Sequence, residues 1–239
     1  VTTDGLINTT EMYLKVILEF EEDGIQARRA RFVERLGQRP PTVTQTVARL
    51  ERNGLVVTSE AGYVELTTAG RRHAVGVLRK HRIIEVLLAD VIGLAWVELH
   101  DEACRWEHVV SDRVERRIFE LCHQPRRGPY GNPIPGTAEL GAGPVAPSGQ
   151  PCRPLPELAA TDHQTVWLDL ISERAQTDSG LLANLRATGI IPGSRLSVQQ
   201  DAGGLLVSAA NGGQLLLAEH QCAGLYGVPK PGLDRDLAN

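Results

Sequence analysis

The apolar residues of this 239-residue chain change their spacing once, and that change restricts the folds open to it. Up to about His123 they recur at helical intervals, apart from two short strand-type runs between Leu55 and Leu66. Beyond a Pro/Gly-rich stretch from Gly141 to Pro156 they fall into short strand-type runs punctuated by glycines. No internal repeat is present, and the length allows one to three compact units with a buried core.

The order of elements before the linker is informative. Thr9 to Leu18 has apolar residues at helical spacing behind a threonine cap. Arg28 to Leu36 is a second helical pattern, ended by Gly37, and Thr42 to Asn53 a third, with Pro41 in its first turn and Gly54 closing it. Leu55–Thr58 and Tyr63–Leu66 flank Glu60-Ala61-Gly62 and predict a β-hairpin. Helices, a turn, an Arg-bearing helix and then a hairpin describe a winged helix-turn-helix. A long helix from Thr67 to about Ala89 follows, with further helical stretches near Trp96–Val110 and Asp112–His123. After the linker, Val166–Leu170, Leu196–Gln199, Leu205–Ser208, Gln214–Leu217 and Gly224–Val228 predict a small β-barrel, with a helix near Gly180–Thr188.

Charge agrees with this division. The formal net charge is -4, yet Arg28, Arg29, Arg31, Arg35, Arg39, Arg49 and Arg52 face only Glu34 and Glu51 over that span. A basic N-terminal patch on an otherwise acidic chain suits DNA. Four scattered cysteines without a CxxC pair predict a reducing cytoplasm rather than a disulfide framework. The longest apolar stretch, Ile83–Leu99, is broken by Glu85, Asp90 and Glu98, and the N-terminus has no signal-peptide pattern, so neither a membrane span nor a leader is expected.

Metal-capable side chains concentrate in the middle. His81 and Glu85 are spaced i,i+4, and His100, Cys104 and His108 repeat by four with Glu107 alongside. From His100 to His108 the stripe runs about 12 Å, too long for one ion. Two sites are therefore expected, one using His81, Glu85 and His100, the other Cys104, Glu107 and His108 with a ligand from elsewhere. Met12, the only methionine, reads by itself as core packing. A site containing soft sulfur ligands leans away from Mn and Mg, towards Fe(II), Co, Ni or Zn. No nucleophile–base pair or phosphate loop stands out, so an enzyme reading would rest on metal alone.

The segments Thr9-Thr10-Glu11-Met12-Tyr13-Leu14, Pro41-Thr42-Val43-Thr44-Gln45-Thr46-Val47-Ala48-Arg49, Arg79-Lys80-His81-Arg82, His100-Asp101-Glu102-Ala103-Cys104-Arg105-Trp106-Glu107-His108 and Gly131-Asn132-Pro133-Ile134-Pro135-Gly136 closely resemble the diphtheria toxin repressor and iron-dependent regulator family. The likeness is collinear from Leu6 to about Gly143 and weaker beyond. It implies a mainly α fold with β, comprising a winged helix-turn-helix DNA-binding domain (1–73), a helical dimerisation and metal-binding domain (74–142), a linker (143–158), a C-terminal SH3-like β-barrel (159–229) and a tail (230–239). It implies an ancillary metal site of His81, Glu85, His100, Glu173 and Gln176. The primary, regulatory site would use Met12, Cys104, Glu107 and His108, with the Leu6 carbonyl acting through water. In this light Met12 becomes a ligand.

By the same resemblance, Thr9, Arg29, Thr42, Thr44, Arg49 and Arg52 contact DNA phosphates, and Arg39, Pro41 and Gln45 meet base edges. The implied function is an Fe(II)-activated repressor of iron-homeostasis genes. It is a homodimer, with one or two dimers on a palindromic double-stranded operator, and Co(II), Ni(II), Mn(II) or Zn(II) can substitute for iron in vitro. Alternatives are a regulator of the same fold responding to Mn, Zn or redox state, and a metalloenzyme. Three departures from the family pattern stand out: Arg39-Pro40-Pro41 for Ser-Gly-Pro, Gly62 for an arginine in the wing, and Gly128 for a serine near the ancillary site, where Arg82 and Asn132 remain to hold an anion.

Overall fold

The computed structural model describes residues 8–143, 151–160 and 165–229. Leu6, residues 144–150 of the expected linker and the tail from 230 lie outside the described residues.

Helix α1 spans Thr9–Glu22, and its cap is Asn8 rather than a threonine. The Asn8 side-chain oxygen accepts from the Thr10 and Glu11 amides, which leaves Thr9 as the first helical residue. Helix α2, Arg29–Leu36, stops at Gly37 in the left-handed conformation. Helix α3, Pro40–Arg52, starts earlier than expected, because both prolines fit the first turn, where amides have no intrahelical partner. Val43, Val47 and Leu50 of α3 pack with Tyr13, Leu14, Ile17 and Phe32 in one core. The hairpin of β1 (Val56–Thr58) and β2 (Val64–Leu66) follows, antiparallel with Val57 opposite Glu65, and completes the winged helix.

Helix α4, Thr68–Val86, runs through the boundary expected at residue 73. Its first half packs Ala74 and Leu78 into the N-terminal core, and its second half carries His81, Arg82 and Glu85. It continues as a π-type turn, Leu87–Ile92, that ends at left-handed Gly93. Helix α5 is Leu99–Trp106 and α6 is Asp112–Leu121, capped by the Ser111 hydroxyl.

The third unit is a six-stranded antiparallel sheet in the order β3-β8-β4-β5-β6-β7. The strands are β3 (Arg153–Pro154), β4 (Thr165–Ile171), β5 (Arg195–Asp201), β6 (Gly204–Ala209), β7 (Gln214–Leu217) and β8 (Leu225–Val228). Helix α7 (Leu155–Ala159) follows β3, α8 (Glu173–Gln176) and α9 (Ser179–Thr188) follow β4, and α10 (Glu219–Cys222) precedes β8. The structure corrects the expected linker: residues 153–158 belong to the sheet domain. Arg153 pairs with Gly227, and Leu155 and Leu158 are fully buried in its core. Proline content alone cannot reveal this, since Pro154 and Pro156 occupy an edge strand and a first helical turn, two places that tolerate proline.

The sheet domain is docked on the helical part. Ile84, Leu88, Leu99, Ala103 and Tyr130 share a continuous core with Leu155, Val166, Leu182 and Leu225. The Ile171 amide donates to the Tyr130 carbonyl at 2.9 Å. Gly131, at φ +86°, lies so close to β4 that a Cβ there would sit 2.1 Å from the Asp169 carbonyl oxygen.

Candidate metal centre

Elements from all three units converge between α1, α4, α5 and α8. His81 and Glu85 share one face of α4, and His100 faces them from α5 with the two imidazole centroids 4.9 Å apart. His81 Nε2 lies 3.0 Å from Glu85 Oε1 and 3.3 Å from Glu173 Oε2. His100 Nδ1 lies 3.3 Å from Glu173 Oε2 and 3.0 Å from Gln176 Oε1. Ligand atoms of His81, Glu85, His100 and Glu173 all fall within 4.8 Å of one another, and all four residues are buried. Glu85 Oε2 and Glu173 Oε2 are buried and receive no hydrogen bond, although the imidazoles stand within ion-pair distance of the latter. The orphaned Glu173 Oε2 between two imidazoles, with Glu85 Oε1 beside them, forms a donor set that fits a divalent cation.

The second cluster lies on the other side of the same rings. His81 Nδ1 is 2.6 Å from Glu107 Oε2, and His100 Nε2 is 3.7 Å from Cys104 Sγ. Each imidazole therefore presents one nitrogen to each cluster, so the two expected sites abut. The expected continuous stripe on α5 is corrected: the helix ends at Trp106, and Val109 N donates to Trp106 O in a tighter turn. Glu107 points inward, whereas His108, 3.3 Å from Glu107 Oε1, reaches back to Glu11 Oε2 of α1 at 2.7 Å. Met12 is half-buried and packs against the N-terminal core.

Ligand spacing does not reveal Lys15. It is buried, with Nζ 2.6 Å from Glu107 Oε2, 3.2 Å from His81 Nδ1 and 3.7 Å from Cys104 Sγ. The available signal was the row Glu11, Lys15, Glu19, Glu22 along one face of α1. Arg82, expected to help hold an anion, is instead fully buried and engaged by Glu173, Glu22 and the Pro133 carbonyl. Asn132 Oδ1 accepts from Gln176 Nε2 at 2.9 Å.

Electrostatics show why the cluster suits a cation. Burial alone would push the Cys104 thiol up, but Lys15, His100 and His81 bring it down to about 6. Burial likewise opposes ionisation of Glu107, yet Lys15 and His81 hold it down at about 2. His81 and His100 lie well above the usual imidazole range; burial opposes this, and the surrounding carboxylates and thiolate outweigh burial. Protons on these rings balance the negative groups, and a cation in their place would release them.

The residues assigned to DNA lie elsewhere on the N-terminal unit. Arg39, Pro41, Thr42, Thr44, Gln45, Arg49 and Arg52 are on the outer side of α3, opposite the buried Val43, Thr46, Val47 and Leu50. Thr9 and Arg29 are half-buried at the starts of α1 and α2. No helix among the described residues is long and apolar enough to cross a membrane.

Residues 5–66 match the iron dependent repressor N-terminal DNA binding domain, and residues 67–136 match the iron dependent repressor metal binding and dimerisation domain. The chain is 44% identical over 228 residues to the iron-dependent repressor IdeR of Mycobacterium leprae, covering 95% of this chain and 99% of that one. It is also 44% identical over 203 residues to the diphtheria toxin repressor of Corynebacterium diphtheriae, covering 85% and 89%. A manganese-dependent transcriptional repressor in complex with manganese has a similar structure, with TM-score 0.77 at 32% identity, covering 92% of this chain and 99% of that one. ScaR with bound zinc aligns with TM-score 0.74 at 25% identity, covering 92% and 98%. These relatives are transcriptional repressors, which sets aside the metalloenzyme reading, and the chain belongs to the iron-dependent repressor family.

Proposed function

We propose that this chain is a cytoplasmic, Fe(II)-activated, dimeric repressor that binds palindromic operators of iron-homeostasis genes when metal is bound. The observation that carries the reading is the convergence of α1, α4, α5 and α8 on one buried set of nitrogen, oxygen and sulfur donors. In this reading His81, Glu85, His100, Glu173 and Gln176 hold an ancillary ion. Met12, Cys104, Glu107 and His108 hold the regulatory ion, with the Leu6 carbonyl acting through water.

Bound metal supplies positive charge and a fixed coordination geometry between α1 and α5. The protein supplies the coupling. Met12 moves with the DNA-binding unit, whereas Cys104, Glu107 and His108 belong to the middle unit, so these ligands come together in only one relative orientation. Each 100-fold preference of the metal for that orientation biases the dimer by about 2.7 kcal/mol. Val91, Ile92, Val109, Val114 and Leu121 are about half exposed on the middle unit and give it an apolar surface suited to dimerisation.

Iron is favoured over manganese because Cys104 and Met12 offer sulfur, a poor partner for Mn(II). Co(II), Ni(II), Mn(II) and Zn(II) are expected to substitute in vitro. The domain limits proposed are 1–73 for DNA binding and 74–142 for dimerisation and metal. The test is an anaerobic DNA-shift titration on a family-type operator with chelator, Fe(II), Mn(II) and Zn(II) in parallel. Binding with Fe(II)-like metals that is lost in Met12→Ala or Cys104→Ala is the expected result. Binding in the presence of chelator would overturn the reading.

A further inference from the structure

The ammonium of Lys15 sits among the groups assigned to the regulatory ion, and the proposed repressor mechanism does not use it. It holds Glu107 Oε2 at 2.6 Å and lies 3.7 Å from Cys104 Sγ, with Lys15 and Glu107 both buried. Lys15 belongs to α1 and Glu107 to the turn after α5, so this ion pair spans the same gap as the proposed metal bridge. A second seat stands beside it. Glu19, one helical turn along α1, has Oε1 only 3.8 Å from Lys15 Nζ, and that buried oxygen accepts no hydrogen bond. The other Glu19 oxygen accepts from Arg35 at 3.1 Å. A buried carboxylate oxygen without a donor is costly, and a nearby lysine with a flexible stem can satisfy it by a small shift.

We propose that Lys15 is an internal competitor of the metal: its ammonium occupies Glu107 in the metal-free protein and moves to Glu19 when a divalent cation takes Glu107. The proposal rests on the assignment of Glu107 and Cys104 to the regulatory site. Two consequences follow. The metal-free protein keeps α1 attached to the middle unit through Lys15–Glu107, and every ion that binds must first displace a resident cation. Lys15 thereby raises the metal concentration at which the regulatory site fills, with no change in any ligand.

The test uses the full chain and anaerobic Co(II), whose thiolate-to-cobalt absorption reports the Cys104 site separately from the sulfur-free ancillary site. Lys15→Met keeps most of the length of the side chain and removes its charge. It is expected to tighten Co(II) binding at the Cys104 site on the order of tenfold or more, and to lower the melting temperature of the metal-free protein. Unchanged or weaker Co(II) binding in a folded Lys15→Met would overturn the exchange alone. Absence of thiolate-to-cobalt absorption in the wild type would overturn the ligand assignment, and the exchange with it. Should Lys15→Met fail to fold, a crystal structure of Co(II)-loaded wild type decides the matter. Nζ within hydrogen-bond distance of Glu19 Oε1 supports the exchange, and Nζ still on Glu107 overturns it.

Discussion

Replacing Arg82 by methionine would leave Glu22 and Glu173 without the guanidinium that now joins them, at 2.5 Å and 2.9 Å. Because Arg82 and Glu173 are buried, the loss is expected to be about 3–5 kcal/mol, read as a lower urea midpoint. Asp23 offers a pH-dependent counterpart. Burial is the main cause that raises its carboxyl from 3.8 to about 6, with Glu19 and Glu22 adding to it and Arg174 and Tyr226 opposing it. A carboxyl raised by folding carries no penalty below its unfolded value, and it destabilises the fold progressively as pH rises from the unfolded value to the folded one. At neutral pH the penalty is about 3 kcal/mol. Asp23→Asn should therefore stabilise the protein at pH 7.5, and by roughly half as much at pH 5. Equal gains at the two pH values would contradict a carboxyl raised by burial. At this scale, His81, Glu85 and His100 were legible because i,i+4 spacing fixes a helix face. Lys15 and Arg82 were not, because a buried cation looks like a surface one until its carboxylate partners are placed.

Among the elements, α3 was legible from its prolines, its apolar face and Gly54; its start moved by two residues and its end by one. Arg39 is exposed at its N-cap with no side-chain cap bond, and in the proposed DNA-binding role its guanidinium would pair with a guanine edge. Arg39→Ser is expected to relax operator preference at one base pair, worth roughly 1–3 kcal/mol in competitive binding against random-sequence pools. Selection that returned the usual family operator for both proteins would contradict this. The docking loop gives a second prediction. Gly131→Ala would bring a methyl against the Asp169 carbonyl from a backbone conformation that disfavours side chains. Loosening of the sheet domain should appear as a larger radius of gyration in small-angle scattering, and an unchanged radius would contradict the close approach. Helix α7 was hidden in the sequence because Leu155 sits between Pro154 and Pro156 and Leu158 only two residues beyond, at the end of a stretch whose composition resembles a tether.

Across the whole molecule, the division into a winged helix, a helical middle and a strand-built end was visible in the change of apolar spacing. The continuity of the middle and last units was not. Tyr130, Leu99 and Ala103 join the sheet-domain core from far away in sequence, and no periodicity encodes which surfaces meet. That continuity matters for function, because Glu173 and Gln176 reach His81 and His100 only from the docked domain. In the proposed mechanism metal and operator DNA favour the same arrangement of the molecule, which makes their coupling reciprocal. The most direct measurement is therefore the Co(II) affinity of the Cys104 site with and without saturating operator DNA. Operator should tighten Co(II) binding by the same factor by which Co(II) tightens operator binding, while an unrelated duplex should leave it nearly unchanged. Equal Co(II) affinity with and without operator would contradict the coupling.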